Sequence, residues 1–327
     1  MPTTRMRIAA VVAAALALSV AGCGTADVAP QGGEADGPAW ASPVIADDFP
    51  DPDVLATDDG YYAYSTESNR RNVPVSFSED LQRWESLGDA MPELPSWIVP
   101  GRTWAPEVTR LASGEYALYF TAHDFAASAQ CIGVATAASP AGPFVVQGTG
   151  MLVCDEAQGG AIDATTVRVD DVLHLVWKND GNAVGVDTWL QAAPLQADGL
   201  SLAGEPVRLV QQDQDWEGAL VEAPTIVAHP EGLTMLYSAN DYGSDDYAIG
   251  YATAPSLSGP WTKHEGPWIT TASTGEHVVG PGGQDVVEGP DGEPRLVLHG
   301  WDAAFTYRSM YVAPLSWDGL EPVSELG

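Results

Sequence analysis

The chain has 327 residues, of which 45% are hydrophobic and 18% charged, enough apolar material for a folded core and too much for a disordered protein. It carries 45 acidic residues against 13 lysines and arginines, a net charge of −32. Such a charge repels polyphosphates and anionic lipid headgroups, so nucleic acid is excluded as a partner, whereas uncharged ligands are not disfavoured.

The N-terminal region predicts export. Residues 1–22 carry two arginines and then an apolar run that is too short to span a bilayer, as in a secretory signal peptide. The run ends in VAGC, which resembles the lipobox of bacterial lipoproteins, so Cys23 is predicted to be lipidated. An ordinary secreted protein with a stray cysteine is the alternative. Residues 23–40 are rich in Gly and Pro and predict a flexible tether. We therefore expect an exported protein, held at the outer face of the cell membrane only by its lipid anchor.

Five segments of residues 41–327 share one pattern, a short apolar strand, a turn with Asp or Gly, and a second strand rich in Tyr, Leu, Val and Trp. Long helical periodicity is scarce, so the pattern is typical of an all-β fold. The segment starts are separated by 54, 58, 59 and 61 residues. The segments are DPDVLATDDGYYAYST from Asp51, APEVTRLASGEYALYFTA from Ala105, DATTVRVDDVLHLVWKN from Asp163, EAPTIVAHPEGLTMLYSAN from Glu222 and GQDVVEGPDGEPRLVLHGW from Gly283.

The repeats predict an all-β, five-bladed β-propeller over residues 41–327. Each segment is followed by a further strand and an outer turn, most clearly in the matching IGVATAASPAGPFV and IGYATAPSLSGPWT. A unit of about four strands cannot bury both of its faces alone, and radial stacking of five such units covers them. The preceding segment ASPVIADDF is expected to close the ring by adding a strand to the last blade.

Two cysteines remain after Cys23 and predict a disulfide. Cys131 and Cys154 form an even pair in an exported chain. They lie nearly symmetrically about the turn PAGP, so antiparallel strands would bring them together.

Three carboxylates stand at the starts of inner strands, Asp51, Asp163 and Glu222. Singly, each has an ordinary interpretation, because Asp before Pro starts turns and acids are common in loops. In a propeller, however, these starts converge at one mouth of the central channel. Grouping like charges there costs repulsion and raises at least one pKa among them.

Such a group fits hydrolysis of a glycosidic bond, which needs one protonated and one ionised carboxyl. Glu222 has apolar chain neighbours and suits the general acid, whereas Asp51 lies among further aspartates near water and suits the base. Asp163 would set the pKa of the acid and orient it. Room for the attacking water predicts a separation of roughly 6.5–9.5 Å between the acid and the base.

The segments FPDPDV, AIDATT and VEAPTI resemble the three signature segments of glycoside hydrolase family 43, five-bladed propellers that hydrolyse arabinosides and xylosides with inversion. The resemblance extends from about Ala41 to the end of the chain. It implies Asp51 as general base, Asp163 as pKa modulator and Glu222 as general acid. The strand in TYRSMYVAPLSWDG is similar to the family's closing strand, which implies that Arg308 touches the sugar; a structural, salt-bridged arginine is the alternative.

Other residues near the strand starts are candidate sugar contacts, namely Trp104, Phe49 and Gln284. A buried indole is the alternative for the tryptophan. Glu107 follows a proline and is expected to point away from the axis in a structural role.

One segment departs from the family pattern. Many members carry Gly-Pro-Gly-His in the fifth blade, where the histidine helps to hold a metal, but here the segment is GPGGQDVV. A structural calcium is therefore in doubt, the metal ligands stay unassigned and no cofactor is expected to be required. His277 is either a substitute for the missing histidine or an ordinary loop residue.

The sequence therefore predicts an inverting glycosidase that cleaves arabinofuranosyl or xylosyl linkages of plant cell-wall oligosaccharides, with an α-L-arabinofuranosidase favoured over a β-xylosidase or an endo-arabinanase. The expected partner is a neutral oligo- or polysaccharide, and the protein is expected to be a monomer. Two alternatives stay open. One is a five-bladed hydrolase of another linkage, such as a fructan-cleaving or α-galactosidic enzyme, and the other is a non-catalytic sugar-binding lipoprotein.

Overall fold

The structure is a computed structural model that describes residues 38–327. The predicted signal peptide, Cys23 and most of the predicted tether lie outside these residues. Helices in the described part are short, an α-helix α1 (Gly181–Val184) and 3-10 turns at Ala39–Ala41, Glu156–Gln158 and Asp215–Glu217. None of them has the length and apolar character needed to span a membrane.

The strands form five antiparallel sheets that follow one another along the chain, as the repeats predict. The first blade is β1 (Asp53–Thr57), β2 (Gly60–Tyr64), β3 (Pro74–Ser78) and β4 (Glu85–Asp89). The second is β5 (Ile98–Arg110), β6 (Tyr116–Asp124), β7 (Ala129–Ala137) and β8 (Val145–Val146). The third is β9 (Ala161–Val169), β10 (Val172–Asn179), β11 (Trp189–Pro194) and β12 (Val207–Gln211). The fourth is β13 (Val221–His229), β14 (Gly232–Ala239), β15 (Ala248–Ala254) and β16 (Thr262–Lys263), and the fifth is β17 (Val279–Glu288), β18 (Pro294–Trp301) and β19 (Arg308–Pro314).

The ring is closed by the segment that precedes the first blade. Ile45 pairs antiparallel with Met310 of β19, and the N–H of Phe49 donates to the carbonyl of Arg308 over 2.8 Å. The segment thus covers the outer edge of the fifth blade, as ASPVIADDF was expected to do. A small hairpin, β20 (Ser316–Asp318) and β21 (Glu321–Val323), follows β19.

The hydrophobic core is divided into five clusters, and each cluster lies between two neighbouring blades. Val108 and Val75 belong to the cluster between the first and second blades, for example, and Val54 and Val297 to the one that joins the fifth blade to the first. The other three clusters fill the remaining interfaces. A single blade therefore has no core of its own, which explains why the fold needs the complete ring.

One residue within or just before each inner strand lies in the left-handed backbone region, at φ between 39° and 55°. These residues are Asp51, Ala105, Asp163, Ala223 and Gly283. Every one of them donates its N–H to a side chain of the preceding blade, over 2.8–3.1 Å. The acceptors are His299, Thr66, Thr121, Asp163 and Ser238, respectively. A left-handed non-glycine residue is costly and is retained where its surroundings hold it, so this ring of contacts sets the orientation of the strand starts.

Cys131 on β7 and Cys154 are joined in a disulfide, the predicted pairing. Cys154 lies in the connection that leads from the second blade to Asp163 at the start of the third. The bond therefore ties that connection to β7.

Candidate active site

A cavity of about 600 Å³ lies at the mouth of the ring. The three predicted carboxylates, Asp51, Asp163 and Glu222, all line it, together with Trp104 and Arg308. Residues that are up to 257 positions apart in the chain thus meet in one pocket. Its volume lies within the range of small-molecule sites.

The three carboxylates do not occupy one register position. Asp51 and Asp163 are the left-handed residues of their strands, but the equivalent residue of the fourth blade is Ala223, and Glu222 precedes it by one. The strict equivalence of Glu222 with the two aspartates was therefore wrong. A break in strand pairing between Glu222 and Thr225 accompanies the left-handed residue. Trp104, the residue before Ala105, occupies the register of Glu222 and also faces the cavity.

Asp51 is held in its ionised form. Arg308 Nη1 lies 3.3 Å from Asp51 Oδ1, and Thr66 Oγ1 donates to Oδ2 over 2.6 Å. Burial alone would raise the pKa of Asp51, but the charge of Arg308 and the Thr66 hydrogen bond oppose it, and the pKa is lowered. An ionised carboxylate in contact with the cavity is suited to accept a proton.

His299 fixes the backbone of Asp51. Its Nδ1 accepts the Asp51 N–H over 3.0 Å, which places the imidazole hydrogen on Nε2. Burial and the nearby Arg308 lower the pKa of His299 to about 3, so the ring is neutral at physiological pH. A neutral ring can keep accepting that hydrogen bond.

Glu222 is bound at both oxygens. Lys178 Nζ donates to Oε2 over 3.0 Å, and Tyr247 Oη donates to Oε1 over 2.8 Å. Lys178 is 1% exposed and also lies 3.5 Å from Asp180 Oδ1. The apolar setting expected from the chain neighbours of Glu222 was wrong, because this cation comes from the second strand of the third blade.

Asp163 retains a proton near neutral pH. Burial and then the charge of Glu222 raise the pKa of Asp163 to about 8, against the opposing effect of Lys178. Asp163 therefore holds a proton close to Glu222, the predicted general acid. Asp163 is thus the carboxyl that shows the predicted rise in pKa.

The comparison with known proteins agrees with this geometry. Residues 40–320 match the family described as Glycosyl hydrolases family 43. The chain belongs to glycoside hydrolase family 43. Members of such a family act on carbohydrates by hydrolysing glycosidic bonds, so the family supports a glycosidase.

Several named proteins are similar in sequence to most of this family 43 chain. The extracellular endo-alpha-(1->5)-L-arabinanase 1 of Bacillus subtilis strain 168 is 26% identical over 276 residues, 77% of this chain and 80% of that protein. A beta-D-galactofuranosidase of Aspergillus niger is 28% identical over 268 residues, 75% and 74% of the two chains. These names differ in the sugar, so likeness at this level leaves the specific substrate open.

Solved structures show the same propeller. A thermostable family-43 glycoside hydrolase superposes with a TM-score of 0.72 at 29% identity and covers 84% of this chain and 92% of its own. An endo-1,4-beta-xylanase of Bacteroides thetaiotaomicron VPI-5482 superposes with a TM-score of 0.75 at 25% identity, over 86% and 96%.

Beneath the cavity, the axis of this family 43 propeller narrows to a channel of about 40 Å³ that is lined by three further acids, Asp53, Glu107 and Asp285. Glu107 faces this channel, so the expectation that it points away from the axis was wrong. Its Oε1 accepts from the N–H of Thr166 over 2.9 Å, and the carboxylates of Asp53 and Asp285 likewise accept from N–H groups of the next blade. These acids link the blades, in keeping with a structural role.

The channel acids predict a stability that falls as the pH rises. Burial and the charge of Asp285 raise the pKa of Glu107 to about 7, and burial raises that of Asp285 to about 6. A carboxyl whose pKa is higher in the folded state favours folding below its unfolded pKa and loses that contribution as the pH rises through the folded pKa. Glu107→Gln should therefore flatten the decline in unfolding free energy between about pH 4 and pH 7, measured by urea titration. The exposed Glu115→Gln serves as control, and an unchanged slope in Glu107→Gln would contradict the assignment.

Two predicted sugar contacts do not reach the cavity. Phe49 is buried in the cluster between the fifth and first blades, because its backbone pairs with β19. Gln284 lines the channel, and its amide is used within the protein, since Nε2 donates to the Ala223 carbonyl and Oε1 accepts from Ser238 Oγ over 2.8 Å. Both predictions are corrected to structural roles.

The residues at the family's metal position do not fit the histidine-held ion. A Cβ on Gly283 would lie 2.5 Å from His299 Nδ1 and 2.8 Å from Asp51 Oδ1, so a histidine has no room there. His277 lies against Trp40 with a ring separation of 6.0 Å, away from the axis. Within residues 38–327 no three His, Cys, Asp or Glu side chains form a metal-holding group.

Sequence reasoning missed four residues of this site, Lys178, Tyr247, Thr66 and His299. Each lies on or just beside the second or third strand of a blade. The repeats were recognised there from apolar residues, so polar residues in these strands were not considered. A signal was present for Lys178, because it is a lysine within the apolar strand LHLVWKN in a chain with few lysines. A buried charge of that kind requires an acidic partner.

Proposed function

We propose that this protein hydrolyses α-L-arabinofuranosyl linkages of arabinan or arabinoxylan oligosaccharides with inversion of the anomeric centre. The observation that carries the proposal is the division of protonation states in one cavity. Asp51 is kept ionised by Arg308, while burial and Glu222 keep a proton on Asp163. Paired carboxyls with opposite preferences are what acid–base hydrolysis of a glycoside requires.

In the proposed mechanism, Asp51 takes a proton from a water molecule as the water oxygen attacks the anomeric carbon. The bond from that carbon to the leaving oxygen breaks, and Glu222 transfers its proton to the leaving oxygen. The proton that burial and the charge of Glu222 hold on Asp163 passes to Glu222 before this transfer, and Lys178 and Tyr247 orient the carboxyl of Glu222. The products are an alcohol and a sugar of inverted configuration, and proton exchange with solvent resets both acids.

Arabinose is favoured by the names of the relatives, because proteins described as arabinanases recur among them at 24–29% identity. Two bacterial relatives are described as extracellular. We accordingly extend the proposal to an exported enzyme that is anchored through Cys23 and meets oligosaccharides at the cell surface.

A panel of three substrates tests the proposal, an aryl α-L-arabinofuranoside, an aryl β-D-xyloside and linear arabinan. We expect turnover of the arabinosides, with the inverted anomer as the first product in proton NMR. Turnover of the xyloside alone would replace arabinose with xylose. Binding without hydrolysis across the panel would favour the sugar-binding alternative and overturn the enzyme.

A further inference from the structure

An aromatic line runs from the candidate base to the protein surface between the fourth and fifth blades. The guanidinium of Arg308, which contacts Asp51, lies 5.2 Å from the ring centre of Tyr242 and 5.6 Å from that of Trp301. Trp301 stacks on Phe305 with a ring separation of 5.7 Å and an interplanar angle of 28°. We refer to Tyr242, Trp301 and Phe305 as the aromatic line.

The aromatic line is held in place by the backbone around it. Trp301 Nε1 donates to the carbonyl of Tyr242 over 2.7 Å, which joins the loops of the two blades. Phe305 has a left-handed φ of 52°, a costly conformation for a bulky residue. The carboxylate of Asp302 holds that loop, because it accepts N–H groups of Ala304, Thr306 and Tyr307 over 2.5–3.2 Å.

Yet this line is not buried. Phe305 is 44% exposed and Tyr242 is 52% exposed, so both rings are accessible to a ligand from solvent. Tyr242 also lines the cavity that holds the three carboxylates. A strained loop that presents an aromatic ring to solvent beside a ligand cavity fits a ligand contact, because strain of this kind concentrates at ligand-binding positions.

We propose that Tyr242 and Phe305 form a binding site for a further sugar unit of the substrate chain, next to the unit held between Asp51 and Glu222. The inference rests on the proposed function and deepens it by naming the residues that hold a second sugar unit of the oligosaccharide. The C–H face of a neutral sugar packs on an aromatic ring without needing charge, which suits a protein of net charge −32. Continuity with the cavity through Tyr242 places this site along the path of the chain.

Subsite mapping tests the inference. We measure kcat/KM for linear α-1,5-linked arabino-oligosaccharides from the disaccharide to the pentasaccharide and for the aryl arabinofuranoside, in wild-type protein and in Phe305→Ala. We expect the ratio of pentasaccharide to aryl-glycoside kcat/KM to fall by about three- to tenfold in Phe305→Ala, the value of one aromatic stacking contact. Phe305→Tyr, which keeps the ring, should restore the ratio.

The matched control is Phe125→Ala. Phe125 is 76% exposed in the loop between β6 and β7, and it is not part of the aromatic line. Its removal should leave the ratio unchanged. An equal effect of both alanine variants on the ratio, or an unchanged ratio in Phe305→Ala, overturns the proposed sugar site while the proposed function stands.

Measurements of arabinopentaose binding distinguish failure of the proposed sugar site from failure of the proposed function. If wild-type protein cleaves none of the arabinosides, the proposed function fails, and titration calorimetry with arabinopentaose still tests the aromatic line. Weaker binding by Phe305→Ala than by Phe125→Ala supports the site even then. Absence of binding, or equal binding by both variants, overturns it.

Discussion

Asp51→Asn is expected to lower kcat/KM by roughly 10²–10⁴-fold, the range for loss of a general base. Asparagine retains the shape of the residue and can accept from Thr66 Oγ1, which bonds Asp51 over 2.6 Å, but it cannot take a proton from water. The variant also leaves Arg308 without its carboxylate partner. Initial rates on the best substrate of the panel measure the effect.

Asp47→Asn is the control for the loss of one nearby negative charge. Asp47 is exposed and bonds Asn69 at the protein surface, outside the cavity. Asp47→Asn should keep nearly full activity, because solvent and salt screen the charge of an exposed residue outside the cavity. A loss smaller than about tenfold in Asp51→Asn, with the fold intact by circular dichroism, would transfer the role of base to another group.

The fold could be predicted because each blade repeats a local pattern. A short apolar strand, a turn and a second apolar strand recur at regular spacing. The observed inner strands β1, β5, β9, β13 and β17 all overlap those segments, although β5 begins seven residues earlier than predicted. The five inter-blade clusters explain this success physically. Their residues are the alternating apolar side chains by which the repeats were recognised.

Exact side-chain positions were harder, because they depend on the left-handed residue at each strand start. A change of one residue in the position of this left-handed residue turns a side chain from one face of the strand to the other. Glu222 therefore reaches the cavity from the position before Ala223, whereas Gln284, which follows Gly283, enters the channel. The spacing of residues in the sequence does not show where strand pairing is interrupted in these two inner strands.

The electrostatic surroundings of the acids were the least predictable part. Arg308 was predicted to be a sugar contact or a salt-bridged structural residue, and the structure shows it paired with Asp51 at the wall of the cavity. Lys178 lies 44 positions from Glu222 in the chain and approaches it only because the third and fourth blades pack side by side. Such contacts arise where two blades pack together, and a single sequence does not show which residues of neighbouring blades lie opposite each other.

Lys178→Met is expected to shift the basic limb of the pH profile of kcat/KM upward by roughly one to three units, as loss of a cation within hydrogen-bond reach of a carboxyl does. Lys178 opposes the rise in the pKa of Asp163 and donates to Glu222. Without Lys178, Asp163 holds its proton more tightly, so the acid form persists to higher pH. The groups facing Lys178 are Asp163, Asp180 and Glu222, and Tyr247 bonds the far oxygen of Glu222.

The matched control is Lys263→Met, because the chain offers a second lysine that is bound to a buried glutamate. Lys263 is 10% exposed and lies 2.6 Å from Glu217, which is fully buried and outside the cavity. Each substitution removes one partner of a buried pair and should destabilise the fold by about 3–5 kcal/mol, measured by urea unfolding. Only Lys178→Met should also move the pH profile, and Lys178→Arg should return it toward wild type. Equal pH profiles in the two methionine variants would mean that Lys178 is only a structural cation, whereas a shift confined to Lys178→Met would separate its effect on the acid pair from its effect on stability.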